Sequence, residues 1–163
     1  MTTEPLTVRR VPNAVSAQVG VGGRATGRLL GGNLTSLATS VGVRLPNLDG
    51  AILFMEDLKH KGLGFVDRLL TQLVRSGAMD GVRGIALGSF EGFHDVMDRG
   101  WTIVDVLEHQ LGGLGVPVLG GLPCGHDVTG SDGRPDQVAI PLGTHAELDA
   151  DAGTLTLAAP CRA

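Results

Sequence analysis

Two short segments of this chain carry side chains suited to proton transfer. The apolar run at residues 51–55 ends at Glu56, and a turn-rich loop at residues 121–127 carries His126. A carboxylate can orient a histidine, and a histidine whose pKa lies near neutrality can act as a general base. Glu56 and His126 are therefore candidate catalytic residues, two of the three members of a triad of nucleophile, base and orienting acid. The alternative for each is an ordinary polar residue in a surface loop.

The third member of such a triad, the nucleophile, has no clear candidate. Ser89 comes closest because it follows a predicted strand, but no Gly-x-Ser-x-Gly elbow surrounds it and a turn serine fits better. Cys124 could be a thiol nucleophile beside His126. The two could also bind a metal with His94, Asp95 and Asp127, yet one Cys-x-His pair without a second cluster is a weak zinc signal. We expect no nucleophile in this chain, no metal and no cofactor.

The elements that must position Glu56 and His126 alternate between strand and helix along the middle of the chain. Apolar runs and alternating patterns predict strands, and apolar residues at i, i+3, i+4 and i+7 predict helices. The predicted strands cover residues 14–21, 24–30, 51–55, 82–87, 116–119, 137–142, 144–148 and 154–158, and the predicted helices cover 34–40, 65–76 and 102–111. This order favours an α/β fold with a mixed sheet, parallel in its centre and antiparallel at its flanks.

Length and composition restrict the organisation and the function classes. A chain of 163 residues predicts one domain, over residues 13–163, preceded at 1–12 by a polar leader that is frayed or an edge strand. A net charge of −4 and 3% aromatic residues argue against nucleic-acid binding. Because the sequence has no signal-peptide pattern and no apolar run near the ~20 residues of a membrane span, we expect a cytoplasmic protein without membrane contact.

Several segments, taken in order, resemble the C-terminal domain of the LD-carboxypeptidase family, serine peptidases that include the microcin C immunity enzymes. The resemblance extends from about Gly27 to Leu157. Its landmarks are the segments at residues 31–34, 52–57, 67–73, 84–88, 115–119, 121–126 and 141–155. It implies a swivelling β/β/α domain and a Ser…Glu…His triad whose acid and base are Glu56 and His126. It also implies that the serine belongs to an N-terminal domain, that the substrate is an L,D-amide of a murein tetrapeptide, and that the enzyme is a homodimer.

Three departures from the family pattern leave the function open. We expect the chain to lack the N-terminal domain, Asp127 stands where glycine is usual, and the loop at residues 89–99 differs from the usual polar pattern. One hypothesis is an excised or split enzyme that needs an N-terminal nucleophile domain in trans.

A second hypothesis is a free-standing repurposed domain. It would bind a small molecule or perform acid–base catalysis with Glu56 and His126, in a pocket to which Asp57, His94 and Asp127 are candidate binding residues. A third hypothesis is a non-catalytic, dimeric interaction module, because a domain separated from its partner exposes a former interface.

Overall fold

The computed structural model describes residues 4–59, 61–128 and 136–159. It contains eight strands, three α-helices and one short 3₁₀ helix at Val15–Gln18 within those ranges. The strands are β1 (Leu6–Arg9), β2 (Gly20–Val21), β3 (Arg24–Asn33), β4 (Ile52–Leu58), β5 (Gly84–Glu91), β6 (Val118–Leu119), β7 (His145–Asp149) and β8 (Thr154–Leu157). The helices are α1 (Leu34–Ser40), α2 (Leu63–Arg75) and α3 (Ile103–Leu111).

The eight strands form one mixed sheet in the order β1-β8-β7-β3-β4-β5-β6-β2. The pairs β3–β4, β4–β5 and β5–β6 are parallel, whereas β1–β8, β8–β7, β7–β3 and β6–β2 are antiparallel. The predicted α/β fold with a parallel centre and antiparallel flanks is therefore confirmed. The long strand β3 joins the two kinds of pairing, since residues 24–28 pair with β7 and residues 29–33 pair with β4.

The central strand β4 is buried on both faces, which explains why its sequence is continuously apolar. Leu53 and Met55 face a core that includes the apolar sides of the three helices. Ile52 and Phe54 face a second core, to which β7, β8 and the loop after β6 contribute. Helices therefore cover one face of the parallel strands, and β7, β8 and the loop after β6 contribute to the core on the other face.

The helices follow from the periodicity of their apolar residues. In α2, Val66, Leu69, Leu70 and Leu73 are buried, and they lie at the i, i+3, i+4 and i+7 positions of one face. Asn33 accepts a hydrogen bond from the backbone nitrogen of Ser36 at 3.2 Å and so caps the N-terminus of α1. At 13 residues α2 is the longest of these helices, and within the described residues no helix is long and apolar enough to span a bilayer.

Three local predictions need correction or refinement. The predicted strand at residues 14–21 is instead the 3₁₀ helix followed by the two residues of β2. The predicted strand at residues 137–142 is irregular, with Pro141 unable to donate to a ladder. The leader contributes β1, an edge strand that pairs with β8, and Val8 in it is buried.

Candidate active site

Glu56 lies near the end of β4 and points away from the helices. Side chains alternate between the two faces of a strand, so Glu56 shares its face with Ile52 and Phe54. Only 5% of the surface of Glu56 is exposed to solvent. A buried carboxylate is costly unless hydrogen bonds compensate for lost water, so its partners define what it does.

The loop after β6 brings His126 to this carboxylate. The loop runs along β5, because Leu122 donates its backbone N–H to Leu87 O at 3.1 Å and Ser89 donates its N–H to Cys124 O at 2.8 Å. On its other side, the Gln137 side chain donates a hydrogen bond to Gly125 O. The loop is therefore attached to its surroundings on both sides, immediately before His126.

Glu56 and His126 meet through two contacts to the same oxygen. Glu56 Oε2 accepts a hydrogen bond from the backbone nitrogen of His126 at 3.1 Å and lies 2.7 Å from its ring nitrogen Nδ1. An ionised carboxylate can only accept, so Nδ1 must carry the proton in this contact. Nε2 is then left as the ring nitrogen available to another molecule, and the His126 side chain is 57% exposed.

The charge of Glu56 also alters the proton affinity of the ring. The pKa of His126 is raised above its ordinary value, first by the hydrogen bond that its ring makes to Glu56 and then by the charge of Glu56. The negative charges of Asp127 and Asp57 raise it further, whereas partial burial lowers it. The imidazolium form of His126 is thus stabilised in the folded protein, as an acid–base group paired with a carboxylate requires.

Gly125 allows His126 to approach the two strands this closely. Its φ is +116°, a conformation that L-residues with a side chain rarely adopt. A Cβ at this position would lie 2.6 Å from Ser89 Oγ and 2.8 Å from Glu56 Cβ. Only glycine fits here without movement of the neighbouring groups.

Ser89 belongs to the site as well, contrary to its prediction as a turn residue. It lies inside β5 and donates its hydroxyl to the backbone oxygen of His126 at 2.8 Å. The register explains this position: Met55 pairs with Leu87 and Asp57 pairs with Phe90, so two residues of β5 face the single residue Glu56. The resulting β-bulge turns Ser89 towards the loop, where strict alternation would have pointed it at the helices.

Asp57 is buried but points to the opposite face from Glu56. Its carboxylate accepts hydrogen bonds from Asn33 Nδ2 at 3.1 Å and from Thr35 Oγ1 at 3.0 Å, at the start of α1. It also accepts from the backbone nitrogen of Leu58 at 2.8 Å. These bonds fix the start of α1 against β4, and the carboxylate makes no hydrogen bond to the ring of His126.

Asp127 and His94 occupy two different positions around the site. Asp127 directly follows His126 and has a positive φ of +53°. His94 lies with Nδ1 3.7 Å from Glu91 Oε2. It lines a cleft of about 370 Å³ whose walls also include Ser89, Phe90 and Asp136 but neither Glu56 nor His126. The Glu56–His126 pair is therefore not part of the lining of this cleft, and the binding roles of Asp57, His94 and Asp127 stay predictions.

Cys124 does not have the properties of a nucleophile. Its side chain is buried in the core on the Phe54 face, and burial raises the pKa of its thiol to about 12. A thiol with such a pKa is protonated at neutral pH and is a poor nucleophile or metal ligand. Across residues 4–59, 61–128 and 136–159, no three His, Cys, Asp or Glu side chains are grouped so that they could hold a metal ion.

The roles of three residues of this site were not predicted from the sequence: Ser89, Gly125 and Gln137. The glycine had a detectable signal, since a glycine before a candidate histidine can indicate a backbone position that excludes a side chain. Ser89 faces the loop because of a β-bulge, and Gln137 reaches Gly125 from a separate segment. Neither arrangement leaves a local pattern in the sequence.

The part of the chain that contains Glu56 and His126 matches a known family. Residues 26–148 match the family described as "LD-carboxypeptidase C-terminal domain", and the chain belongs to that family. The resemblance predicted from the sequence is thereby confirmed.

Individual relatives agree with this assignment. The chain is 42% identical over 142 residues to SCO6489 of Streptomyces coelicolor, a protein named as a carboxypeptidase; the match covers 86% of this chain and 42% of that protein. It is 34% identical over 131 residues to the microcin C7 self-immunity protein MccF of Escherichia coli, covering 79% of this chain and 36% of MccF.

Among solved structures, muramoyltetrapeptide carboxypeptidase from Oxalobacter formigenes superposes with a TM-score of 0.77 at 32% identity, covering 96% of this chain and 50% of that one. The chain therefore spans half or less of the length of these relatives.

Proposed function

We propose that this chain supplies the acid and base of a serine LD-carboxypeptidase-like hydrolase, and that the serine nucleophile comes from an N-terminal domain acting in trans. The observation that carries the proposal is the 2.7 Å contact between Glu56 Oε2 and His126 Nδ1 at the carboxyl end of the parallel strands. That edge of an α/β sheet is where functional side chains usually gather.

The geometry supports a division of labour between the two residues. Glu56 accepts a hydrogen bond from Nδ1–H of His126 and so keeps the lone pair of the neutral ring on Nε2. Nε2 would take the proton of the serine hydroxyl as the oxygen attacks the amide carbonyl, and the imidazolium would then donate that proton to the departing amine. Glu56 would stabilise the imidazolium between these steps, in agreement with the raised pKa of His126.

Among the residues that the structure describes, two serines are buried, and the hydroxyls of both are used for structure. Ser89 donates to the backbone oxygen of His126, and Ser16 donates to Gly88 O at 2.7 Å. Neither hydroxyl is bonded to the ring of His126, so neither is placed as the nucleophile of this pair. The proposed reaction therefore uses a serine nucleophile and an oxyanion hole that an N-terminal domain supplies in trans.

The names of the relatives suggest the substrate. One curated relative from Bacillus subtilis is named a murein peptide carboxypeptidase, and the solved relative cited above is a muramoyltetrapeptide carboxypeptidase. We propose the same substrate class here, the amide between an L- and a D-residue of a murein tetrapeptide. A homodimer, implied by the resemblance, remains a prediction that analytical ultracentrifugation can check.

The proposal is tested by mixing this chain with the separately folded N-terminal half of a two-domain relative and following release of the terminal D-residue. Cleavage should appear only in the mixture. General acid–base catalysis contributes ~10²–10⁴-fold, so His126→Ala should lower the rate at least about 100-fold. His109→Ala, which changes a histidine outside the site, is the matched control. If the folded halves bind each other and the mixture stays inert, the proposal is wrong.

A second candidate function is favoured by one observation, the cleft beside His94. Its volume of about 370 Å³ lies within the range of small-molecule sites, and apolar Val15, Phe90 and Leu122 line it together with polar Asn13 and Asp136. A small-molecule binding domain would show ligand-induced NMR shifts confined to these residues. A fragment screen that produces no such shifts would exclude this alternative.

A further inference from the structure

The peptide units on both sides of His126 are hydrogen-bonded to neighbouring strands. On the N-terminal side, its backbone N–H donates to Glu56 of β4 at 3.1 Å. On the C-terminal side, its backbone oxygen accepts from Ser89 Oγ of β5 at 2.8 Å. Together with the contact at Nδ1, these bonds fix the main chain and the ring of His126 at the same time.

The hydroxyl of Ser89 is itself held in one place. Ser89 has 4% exposure, and its backbone N–H donates to Cys124 O in the same loop at 2.8 Å. The bulge in β5 turns its side chain to the loop, while Phe90 remains in the core on the helix side. The Ser89 hydroxyl is therefore held where it donates to the backbone carbonyl of His126.

The turn that carries His126 needs such external support. Gly125 and Asp127, its two neighbours, have positive φ values of +116° and +53°. A non-glycine residue in this region is uncommon and costs conformational energy. Bonds from the surroundings must keep the turn in this shape, and the bond from Ser89 acts directly on the peptide that joins His126 to Asp127.

We infer that Ser89 is a positioning residue of the Glu56–His126 pair: its hydroxyl holds the main chain of His126 so that the ring stays within hydrogen-bond distance of Glu56. The catalytic consequence rests on the proposed function, whereas the positioning itself is a property of the folded chain. No contact between Ser89 and a substrate is needed for this role.

The test compares three variants of the full chain. Ser89→Ala removes the donor, and Ser89→Thr keeps it while adding one methyl group at a residue that lines the cleft beside His94. Ser16→Ala is the matched control. Ser16 is also a fully buried serine, and its hydroxyl donates to Gly88 O and accepts from Gly121 N at 3.1 Å, in the same strand and the same loop.

The first readout is the NMR titration of the His126 imidazole, which needs no enzymatic activity. In Ser89→Ala the pKa of His126 should fall towards its ordinary value, and the Nδ1-protonated tautomer should become less populated, because the ring is held less firmly against Glu56. Ser89→Thr and Ser16→Ala should titrate like the wild type. If Ser89→Ala does not fold, Ser89→Cys is measured instead, because it fills similar space with a much weaker donor.

The second readout is the rate of the reconstituted hydrolysis. Loss of a typical hydrogen bond corresponds to about fivefold in kcat for Ser89→Ala, with KM within about twofold and recovery in Ser89→Thr. The inference is overturned if the folded Ser89→Ala or Ser89→Cys protein keeps the wild-type titration, or if Ser16→Ala shifts it equally. A changed titration without any hydrolysis in the wild-type mixture would support the positioning role while contradicting the proposed function.

Discussion

One oxygen atom of Glu56 holds both the main chain and the ring of His126. Oε2 lies 3.1 Å from the backbone nitrogen and 2.7 Å from Nδ1 of the same residue. A single buried carboxylate therefore contacts the main chain of His126, orients its imidazole and determines which ring nitrogen carries the proton. Glu56 therefore affects both the stability of the fold and the proton affinity of the His126 ring, and each effect can be measured separately.

Replacement of Glu56 by glutamine should lower the pKa of His126. Glu56→Gln removes the two largest causes of the raised value, the charge-assisted hydrogen bond and the carboxylate charge, and leaves the weaker effects of Asp127 and Asp57. An NMR titration of the His126 ring measures the change directly. The same substitution at exposed Glu147, on β7, should leave this titration unaltered. An unchanged pKa in a folded Glu56→Gln protein would falsify the assignment of Glu56 as the partner of His126.

The stability difference between wild type and Glu56→Gln should depend on pH in a defined direction. Because the pKa of His126 is raised in the folded state, its pairing stabilises the protein fully below the unfolded-state value near 6.5 and loses this effect as pH rises through the folded-state pKa. The wild type should therefore exceed the variant in unfolding free energy by more at pH 6 than at pH 9. Urea denaturation at both pH values gives the two differences, and equal differences would contradict the coupling.

Much of this site could be predicted from the sequence because it depends on local patterns. The continuous apolar run of β4 predicted a central strand with Glu56 at its end, and the loop after β6 predicted an accessible His126. The opposite directions of Glu56 and Asp57 also follow from strand alternation. Ser89 could not be predicted in this way, because one extra residue in β5 reverses the face of every later side chain and leaves no composition signal.

The 3₁₀ helix at Val15–Gln18 shows the same limit in the fold. Its residues alternate as a strand would, yet Ser16 is fixed by bonds to Gly88 and Gly121, which are 72 and 105 residues away in sequence. Such tertiary contacts override a weak local preference for a strand. Local patterns therefore predicted the central elements well and the short connecting segments poorly.

Gly125→Ala should destabilise the protein by about 1–3 kcal/mol. The added Cβ would meet Ser89 Oγ at 2.6 Å and Glu56 Cβ at 2.8 Å, and the φ of +116° is unfavourable for alanine. Gly113→Ala is the matched control, because a Cβ there meets nothing within 4 Å and the glycine has no positive φ. Its effect should stay within about 0.5 kcal/mol. Chemical denaturation measures both, and equal effects at the two glycines would show that the turn has room that the geometry does not indicate.

Asp127 combines a charge and a strained conformation, and two substitutions separate them. Its negative charge raises the pKa of His126, and its φ of +53° lies in the left-handed region. Asp127→Gly removes both features, so the pKa of His126 should fall slightly. The unfolding free energy should rise by at most about 1 kcal/mol, because the backbone entropy of glycine offsets part of the relieved strain.

Asp127→Asn removes only the charge, since asparagine tolerates this conformation about as well as aspartate. It should lower the pKa of His126 as much as the glycine variant does, while the unfolding free energy stays near the wild-type value. NMR titration and urea denaturation on the same two proteins give both quantities. If the asparagine variant left the pKa unchanged while the glycine variant lowered it, the effect of Asp127 on His126 would come from the shape of the turn and not from its charge.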